Sequence, residues 1–187
     1  MVVLDIACGT GRWLEHLLNR GARSFLGFDL SPEMLNEARR KPLLQDRLIQ
    51  ADCLSIPVVS HATDLAICSF AVSYVHDLSS FASELSRIVK RGGHLFITDF
   101  HPSGHLRGWK RSFRHERGLI EISSFPYSVD RICDSFAAAG FDLATRNEPC
   151  FGEAERSIFE RCGKGHFFDD SRREPAVFVC HFRRSTD

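Results

Sequence analysis

Residues 3–11 read VLDIACGTG, and this stretch decides the fold. An apolar strand runs directly into a glycine-rich turn, and a helical pattern begins near Arg12. Gly9 and Gly11 allow the chain to turn tightly and place no Cβ in the way of a ligand. The free N–H groups at the start of the helix point to the same place. The stretch therefore predicts a site for a nucleotide-like ligand.

Two families of proteins use such a turn. Dinucleotide-binding enzymes favour G-x-G-x-x-G, and here the third glycine position holds Leu14. Asp5 stands inside the strand, four residues before the first glycine. The string D-x-A-C-G-T-G resembles motif I of the class I S-adenosylmethionine (SAM)-dependent methyltransferases. The resemblance implies that SAM contacts five residues of this motif: Asp5, Ala7, Cys8, Gly9 and Gly11.

A second acidic residue ends the apolar run SFLGFD at Asp29. A carboxylate at the tip of the second strand accepts hydrogen bonds from ribose hydroxyls, and its lag of about twenty residues behind the glycines fits that contact. The resemblance places Leu30 and Met34 beside the cofactor as well. A role only in front of the next helix, which Ser31 is suited to cap, stays open for Asp29.

Further cofactor contacts are predicted where the third and fourth strands end. The resemblance implies that the Asp52 carboxylate receives the adenine amine and that the Cys53 N–H reaches a ring nitrogen. An aspartate that only shapes a turn is the alternative. A buried run from 65 to 70 then opens into a loop, and the resemblance implies that Ser69 and Phe70 offer backbone carbonyls to the ammonium group of SAM.

Strands and helices alternate along the chain, which predicts a parallel sheet with helices on both faces. The resemblance implies a Rossmann-like three-layer α/β sandwich with a mostly parallel seven-stranded sheet, whose last strand lies antiparallel beside the fifth. We expect Ser79 or Ser80 to cap the third helix, Gly92–Gly93 to end it, and Ser128 to cap the fourth. The predicted strands are 2–7, 24–29, 47–51, 64–70, 94–100, 141–146 and 176–182. The predicted helices are 12–20, 32–41, 79–91 and 128–139.

Two histidines after the fourth and fifth strands are candidate catalytic residues. His101 follows the fifth strand, where an acceptor would meet the methyl group, and imidazole titrates near neutral pH. It is our preferred general base, and His76 is the second candidate. Equally, His101 is a turn residue held by Pro102, and His76 merely precedes a helix capped by Asp77.

The segment 101–127 is long for a loop and predicts a lid or a substrate-binding insertion. Within it, and after the fourth strand, we expect Tyr74, His101, Trp109 and Arg111 to contact the substrate. Two interpretations of its basic residues stay open. They bind a carboxylate or phosphate, or they form the solvated face of a helix whose Trp109 and Phe113 point inward. The basic residues are Arg107, Lys110, Arg111, Arg114 and Arg117.

Composition narrows the function classes. The 187 residues suit one domain, 1–187, and 24 basic against 24 acidic residues argue against nucleic-acid binding through bulk charge. No apolar run predicts a membrane span, and no secretory signal is evident. Seven cysteines without a C-x-x-C pair indicate a reduced, cytoplasmic protein. Cys162 and His166 lack a partner pair, so we expect no metal.

The resemblance also implies helices before the first strand that cover SAM, whereas here Asp5 follows Met1 almost at once. We therefore expect a fold without these cap helices, and a cover from the 99–118 segment, from a second copy, from a partner subunit, or from a longer natural chain. Three functions stay open. The first is methylation of a small molecule at oxygen, nitrogen or carbon, with S-adenosylhomocysteine (SAH) as product. The others are a non-catalytic SAM/SAH-binding partner subunit and an NAD-dependent oxidoreductase.

Overall fold

The computed structural model describes residues 1–116 and 118–186. Within these residues, nine strands form a seven-stranded sheet and a separate two-stranded hairpin. The strands are β1 Val2–Ile6, β2 Ser24–Asp29, β3 Leu48–Gln50, β4 Thr63–Ser69, β5 Val89–Phe100, β6 Ser112–His115, β7 Gly118–Glu121, β8 Phe141–Asn147 and β9 Val177–Arg184. The helices are α1 Arg12–Asn19, α2 Pro32–Arg39, α3 Leu78–Ile88, α4 Pro102–Leu106, α5 Val129–Ala138, α6 Arg156–Arg161 and α7 Phe168–Ser171.

The large sheet has the order β3-β2-β1-β4-β5-β9-β8. The strands β1 to β5 pair in parallel, and β9 pairs antiparallel with both β5 and β8. This topology confirms the predicted mostly parallel sheet and the insertion of the last strand beside the fifth. Because the order reverses between β1 and β4, a crevice opens at the carboxyl ends of these two strands.

Two apolar cores lie against opposite faces of this sheet. On one face, α1 and α2 bury Leu14 and Leu35 against Phe25 of β2. On the other face, α3 and α5 bury Phe81 and Phe136 together with strand residues of β1, β4, β5 and β9. Helix, sheet and helix thus make three layers, as the alternating pattern predicts.

Helix starts follow ordinary capping chemistry, with one correction. The Ser31 hydroxyl accepts a bond from the Met34 N–H at 3.2 Å, and the Ser128 hydroxyl accepts one from the Arg131 N–H at 3.2 Å. The prediction that Ser79 or Ser80 caps α3 was wrong. The alternative, a cap at Asp77, is confirmed: its carboxylate accepts from the Ser80 N–H at 3.0 Å, and α3 begins at Leu78, so both serines lie inside the first turn.

The expected end of α3 at Gly92–Gly93 was also wrong. The helix ends at Ile88, and Val89 is already extended, with φ −78° and ψ 131°. Val89 pairs with Thr63 of β4, so sheet hydrogen bonds replace the last predicted helical turns. Both glycines lie inside β5, where the register shifts.

The basic segment after β5 does not form the predicted solvated helix. The short α4 stops at Leu106, and the chain returns as the hairpin β6–β7, which pairs Ser112 with Glu121. Gly108, with φ 76°, supplies the left-handed residue that ends the helical course. Arg117 and the side chains of Phe113 and Arg114 lie outside the described residues.

Candidate functional site

A cavity of about 750 Å³ opens at the carboxyl ends of β1, β2 and β4, and we call it the first cavity. The predicted cofactor residues meet there, with one exception. Gly11 is not part of its lining. The lining includes Asp5, Ala7, Cys8, Gly9, Asp29, Leu30, Met34, Asp52, Cys53, Ser69 and Phe70, together with Tyr74 and His76.

The two glycines of the turn have different surroundings. A Cβ on Gly9 would meet no protein atom within 4 Å, so its bare backbone leaves space in the cavity. A Cβ on Gly11 would lie 2.6 Å from Cδ1 of Leu44 and 3.4 Å from the Cβ of Ala38. Gly11 therefore permits close packing beneath the turn, and only Gly9 faces the place a ligand would take.

Asp29 fixes the shape of the turn. Its Oδ2 accepts a bond from the Gly9 N–H at 2.6 Å, and its Oδ1 accepts one from the Ser31 N–H at 2.9 Å. Each carboxylate oxygen keeps a further lone pair, so the group has acceptor capacity left for ribose hydroxyls.

Asp5 is the most deeply buried ionisable group in the lining of the first cavity. The residue is 1% exposed, and its Oδ2 has no hydrogen-bond partner. Burial raises the pKa of this carboxyl to about 8, and the nearby Asp29 charge adds to the rise. The Ser69 hydroxyl in the same lining is also buried without a partner. Unsatisfied buried groups are rare in folded proteins, so both atoms indicate a polar ligand that completes them.

The residues after β3 combine the two roles considered for them. The Asp52 Oδ1 accepts from the Leu54 N–H at 2.9 Å, which shapes the turn, and the residue also lines the cavity. Burial, reinforced by the Asp52 charge, raises the pKa of the Cys53 thiol to about 11. This thiol therefore stays protonated and unreactive at neutral pH.

Two residues at the strand ends that face the first cavity have strained backbone conformations. Ala7 has φ 56° and Phe70 has φ 58°, a left-handed conformation that side-chain-bearing residues rarely adopt. The Phe70 N–H donates to the Thr98 carbonyl at 2.7 Å, which holds the strained turn in place. Such strain concentrates at functional sites.

The first cavity also contains residues that the sequence analysis missed. Trp13, in the first turn of α1, and Val75, after β4, both line it. An aromatic residue two positions after the glycine turn was the available signal for Trp13. Val75 gave none, because a valine in a loop has no distinctive chemistry.

A second cavity, of about 440 Å³, lies beyond the ends of β4 and β5. Three of the predicted substrate residues line it, namely His101, Trp109 and Arg111, whereas Tyr74 lines the first cavity. Ser73 also lines the second cavity, and its buried hydroxyl has no hydrogen-bond partner.

The two cavities share a wall of aromatic rings and one guanidinium. Arg111 stacks on Tyr74 at 4.7 Å and on Phe100 at 4.8 Å, and the Phe100 ring lies 4.9 Å from the Phe70 ring. Arg111 also pairs with Asp99, which is 1% exposed. Asp99 further accepts from the N–H groups of Ser73, at 3.0 Å, and of Phe100, at 2.7 Å.

His101 uses both of its ring nitrogens. Nδ1 accepts from the Ser103 N–H at 3.2 Å and so caps α4, while Nε2 lies 2.8 Å from the Glu148 carboxylate. This arrangement favours the turn role over that of a free base. The Arg146 guanidinium lowers the pKa of Glu148, and His101 lowers it to a smaller extent, so this carboxylate stays charged. Catalysis by His101 or by His76, which lines the first cavity, stays a prediction.

Within residues 1–116 and 118–186, no group of three or more His, Cys, Asp or Glu side chains is placed to hold a metal ion. Across those same residues, no helix has the length and apolarity needed to cross a bilayer.

Comparison with known proteins matches this site to one family. Residues 3–93 match the model of a family described as "Methyltransferase domain". The demethylmenaquinone methyltransferase of Thermobifida fusca is 33% identical over an alignment of 148 residues, and the match covers 73% of this chain and 61% of that protein. The malonyl-[acyl-carrier protein] O-methyltransferase of Yersinia pestis is 35% identical over 124 residues, which are 66% of this chain and 45% of that protein.

Solved structures share the fold. An S-adenosylmethionine-dependent methyltransferase from Mesorhizobium loti superimposes with a TM-score of 0.74 at 21% identity, covering 98% of this chain and 90% of that one. A second, from Listeria monocytogenes, gives 0.76 at 19% identity, with 98% and 91% covered. The chain spans roughly half the length of the two curated relatives above, at 61% and 45%. Residues 3–93 of this chain therefore match the methyltransferase-domain family, and the chain as a whole has the fold of the solved SAM-dependent methyltransferases.

Proposed function

We propose that this chain transfers the methyl group of SAM, held in the first cavity, to a small molecule held in the second. The observation that carries this proposal is the distribution of orphaned polar atoms. Among residues 1–116 and 118–186, three buried side-chain atoms lack a hydrogen-bond partner: Asp5 Oδ2, Ser69 Oγ and Ser73 Oγ. The first two lie at the first cavity and the third lies at the second.

The first cavity fits SAM in size and in polarity. A volume of about 750 Å³ lies within the usual range for cofactor sites. In this proposal the Asp29 carboxylate binds the ribose hydroxyls and Asp52 binds the adenine amine. Asp5 and Ser69, at the inner end, bind the polar groups of the methionine portion. When bound, SAM supplies an electrophilic methyl carbon on a sulfonium.

The chain itself contributes alignment. Methyl transfer is a displacement at carbon, so its rate depends on holding the acceptor atom in line with the methyl group. The wall formed by Tyr74, Phe100 and Arg111 stands between the two cavities and sets where they meet. The polar groups beside this wall orient the acceptor atom, and its proton leaves to water or to His76.

We infer that residues 101–127 act as a lid over the second cavity within a single 1–187 domain. The lid is fastened to the loop after β4 at two points. The Phe125 N–H donates to the Ser73 carbonyl at 2.6 Å, and the Tyr127 hydroxyl lies 3.0 Å from the carbonyls of Val75 and His76. The Arg111–Asp99 ion pair ties it to the end of β5 as well.

The proposal extends to the acceptor and to the cellular location of the protein. The relatives above are named for two acceptors, demethylmenaquinone and malonyl-[acyl-carrier protein]. We propose a small-molecule acceptor, because the second cavity is closed on one side by the lid. All seven cysteines are free thiols, which supports a cytoplasmic location.

A second copy or a partner subunit over the first cavity stays a prediction. Leu30 and Met34 at its edge are 64% and 48% exposed, which supports a cover there. One protein of the same fold, from Haloferax volcanii, was solved as a complex with a methyltransferase activator, at TM-score 0.71 and 19% identity, covering 98% of this chain and 82% of that one. Light scattering with and without SAH tests whether the mass of the particle exceeds one chain.

Calorimetric titration with SAH, with NAD as the control, tests the cofactor site. Saturable binding of SAH alone is the expected result, and binding of NAD alone would support the oxidoreductase instead. Asp29→Ala should weaken SAH binding by about 1–3 kcal/mol, the scale of hydrogen bonds to a charged group. Labelled SAM then tests turnover. Tight SAH binding without transfer to any acceptor would favour the non-catalytic binding domain.

A further inference from the structure

Several aromatic side chains line the second cavity. Phe125 and Tyr127 stack with their ring planes 18° apart, and Phe100 and Trp109 also line the cavity. Trp109 is held against Gly104, since a Cβ there would lie 2.7 Å from Cε3 of the indole. The backbone N–H of Trp109 also donates to the Gly104 carbonyl at 2.9 Å. Rigid rings in this arrangement favour a flat ring as ligand.

The formal charges in the same lining cancel. Lys110 pairs with Glu121 at 2.9 Å, and Arg111 pairs with the buried Asp99. His101, the remaining partner of a carboxylate, contacts Glu148. A ligand with a net charge would therefore lose its hydration without meeting an unpaired opposite charge. An uncharged ligand has no such charge to desolvate, so the cavity favours it.

Unused hydrogen-bonding groups lie at the wall shared with the first cavity. Arg111 has five N–H donors, of which some face Asp99 and another faces the Tyr74 hydroxyl, so donors remain beyond those two contacts. The Ser73 hydroxyl has no partner, and rotation about χ1 changes where it points. These two groups stand beside the place where the methyl group would arrive, so an oxygen of the ligand would be held there.

We propose, on the basis of the proposed function, that the acceptor is an uncharged, flat aromatic compound whose hydroxyl oxygen binds Ser73 and Arg111. The ring lies between Trp109 and the Phe125–Tyr127 pair. In the transfer, the acceptor oxygen bonds to the methyl carbon while the carbon–sulfur bond breaks and leaves its electrons on sulfur. The hydroxyl proton goes to water.

The two tryptophans of the chain make the cavities separately observable. Trp13 lines the first cavity and Trp109 lines the second, and the chain has no other tryptophan. Trp13→Phe therefore leaves Trp109 as the reporter for the acceptor site, and Trp109→Phe leaves Trp13 as the reporter for the cofactor site.

Fluorescence titration of the Trp13→Phe chain at pH 7 tests the ligand class with three probes. The probe 2-naphthol should bind saturably. The charged 2-naphthoate and the saturated decahydro-2-naphthol should each bind at least tenfold more weakly. Tighter binding of 2-naphthoate would overturn the uncharged acceptor, and equal binding of the saturated alcohol would overturn the aromatic one.

Ser73→Ala in the same background tests the hydroxyl contact. The affinity for 2-naphthol should fall about three- to tenfold, whereas that for naphthalene, which lacks the hydroxyl, should stay unchanged. Equal losses for both probes would contradict the contact. The Trp109→Phe chain titrated with SAH separates this inference from the proposed function. SAH binding without naphthol binding overturns the acceptor class alone, and naphthol binding without SAH binding overturns the proposed function.

Discussion

The buried carboxyl of Asp5 makes the stability of the cofactor-free chain depend on pH. Its pKa is about 8 in the folded chain, because of burial and of Asp29, against 3.8 for an unperturbed aspartate. Between these values the folded chain keeps a proton that the unfolded chain releases. The free energy of unfolding therefore falls as pH rises from about 4 to 8, by at most about 1.4 kcal/mol per pH unit.

Asp5→Asn should remove this dependence and raise the melting temperature at pH 8, since the amide keeps the shape without the charge. Melting curves by circular dichroism from pH 5 to pH 9 measure it. Asp52→Asn, an exposed position at the same cavity, is the control and should keep the slope of the parent chain. Parallel slopes for Asp5→Asn and the parent would show that Asp5 is ionised in the folded chain.

Alanine substitutions at the two glycines of the turn should separate an effect on ligand binding from an effect on stability. Gly9→Ala places its methyl group in the open cavity and pays only the left-handed strain, about 1–2 kcal/mol. Gly11→Ala carries the same strain and also forces Leu44, 1% exposed, to move inside the core, which adds about 1–3 kcal/mol. Gly9→Ala should therefore lose more SAH affinity, and Gly11→Ala more thermal stability. Calorimetry and melting curves on both variants check this crossing pattern, which equal losses would refute.

Most of the residues that line the first cavity were predictable because they follow one another at fixed places along the chain. Asp5 lies one residue before the end of β1, Asp29 ends β2 and Asp52 follows β3, and parallel strands bring their carboxyl ends to one edge. The state of His101 was not predictable, because its partner Glu148 lies 47 residues away on another strand end. The orphaned Ser73 hydroxyl gave no signal either, since only the tertiary structure shows that it lacks a partner.

Helix α5 offers a direct test of capping, because one serine precedes it as the cap and another lies within it. Ser128 caps the first turn, whereas the Ser135 hydroxyl donates to the Arg131 carbonyl at 2.8 Å within the helix. Ser128→Ala should cost about 1 kcal/mol, or roughly 2–4 °C in melting temperature for a chain of this size. Ser135→Ala should be neutral or slightly stabilising, because that bond competes with helix geometry. A larger loss at Ser135 than at Ser128 would contradict the assigned cap.

The strands and most helices could be predicted from hydrophobic pattern, and the errors have physical causes. The α3 end was misplaced because pairing of Val89 with Thr63 overrides helix propensity. The hairpin at Ser112–Glu121 was missed because basic and aromatic residues at helical spacing resemble an amphipathic helix. Local sequence does not reveal the long-range bonds that hold that hairpin against the sheet.

At the scale of the molecule, the lid and the two cavities are coupled through few contacts. Tyr127 donates its hydroxyl to the carbonyls of Val75 and His76, both of which line the first cavity. Its ring lines the second cavity, so this single side chain touches both sites. The Tyr127 ring also packs against the core on the α3 and α5 side of the sheet, so only its hydroxyl can be removed to release the lid without disturbing that core.

Tyr127→Phe tests this coupling, because it removes the hydroxyl and keeps the ring. Amide hydrogen exchange in residues 118–127 should rise several-fold, since a lost hydrogen bond of about 1 kcal/mol shifts a local opening equilibrium by roughly that factor. Exchange in β1 and in α5 should stay as in the parent chain and serves as the internal control. Unchanged exchange in 118–127 would show that Arg111–Asp99 and Phe125–Ser73 suffice to hold the lid, and a rise throughout the sheet would show that Tyr127 supports the whole fold. The expected outcome lies between these two, because the remaining contacts, Arg111–Asp99 and Phe125–Ser73, hold the lid and are not part of the sheet's hydrogen bonding.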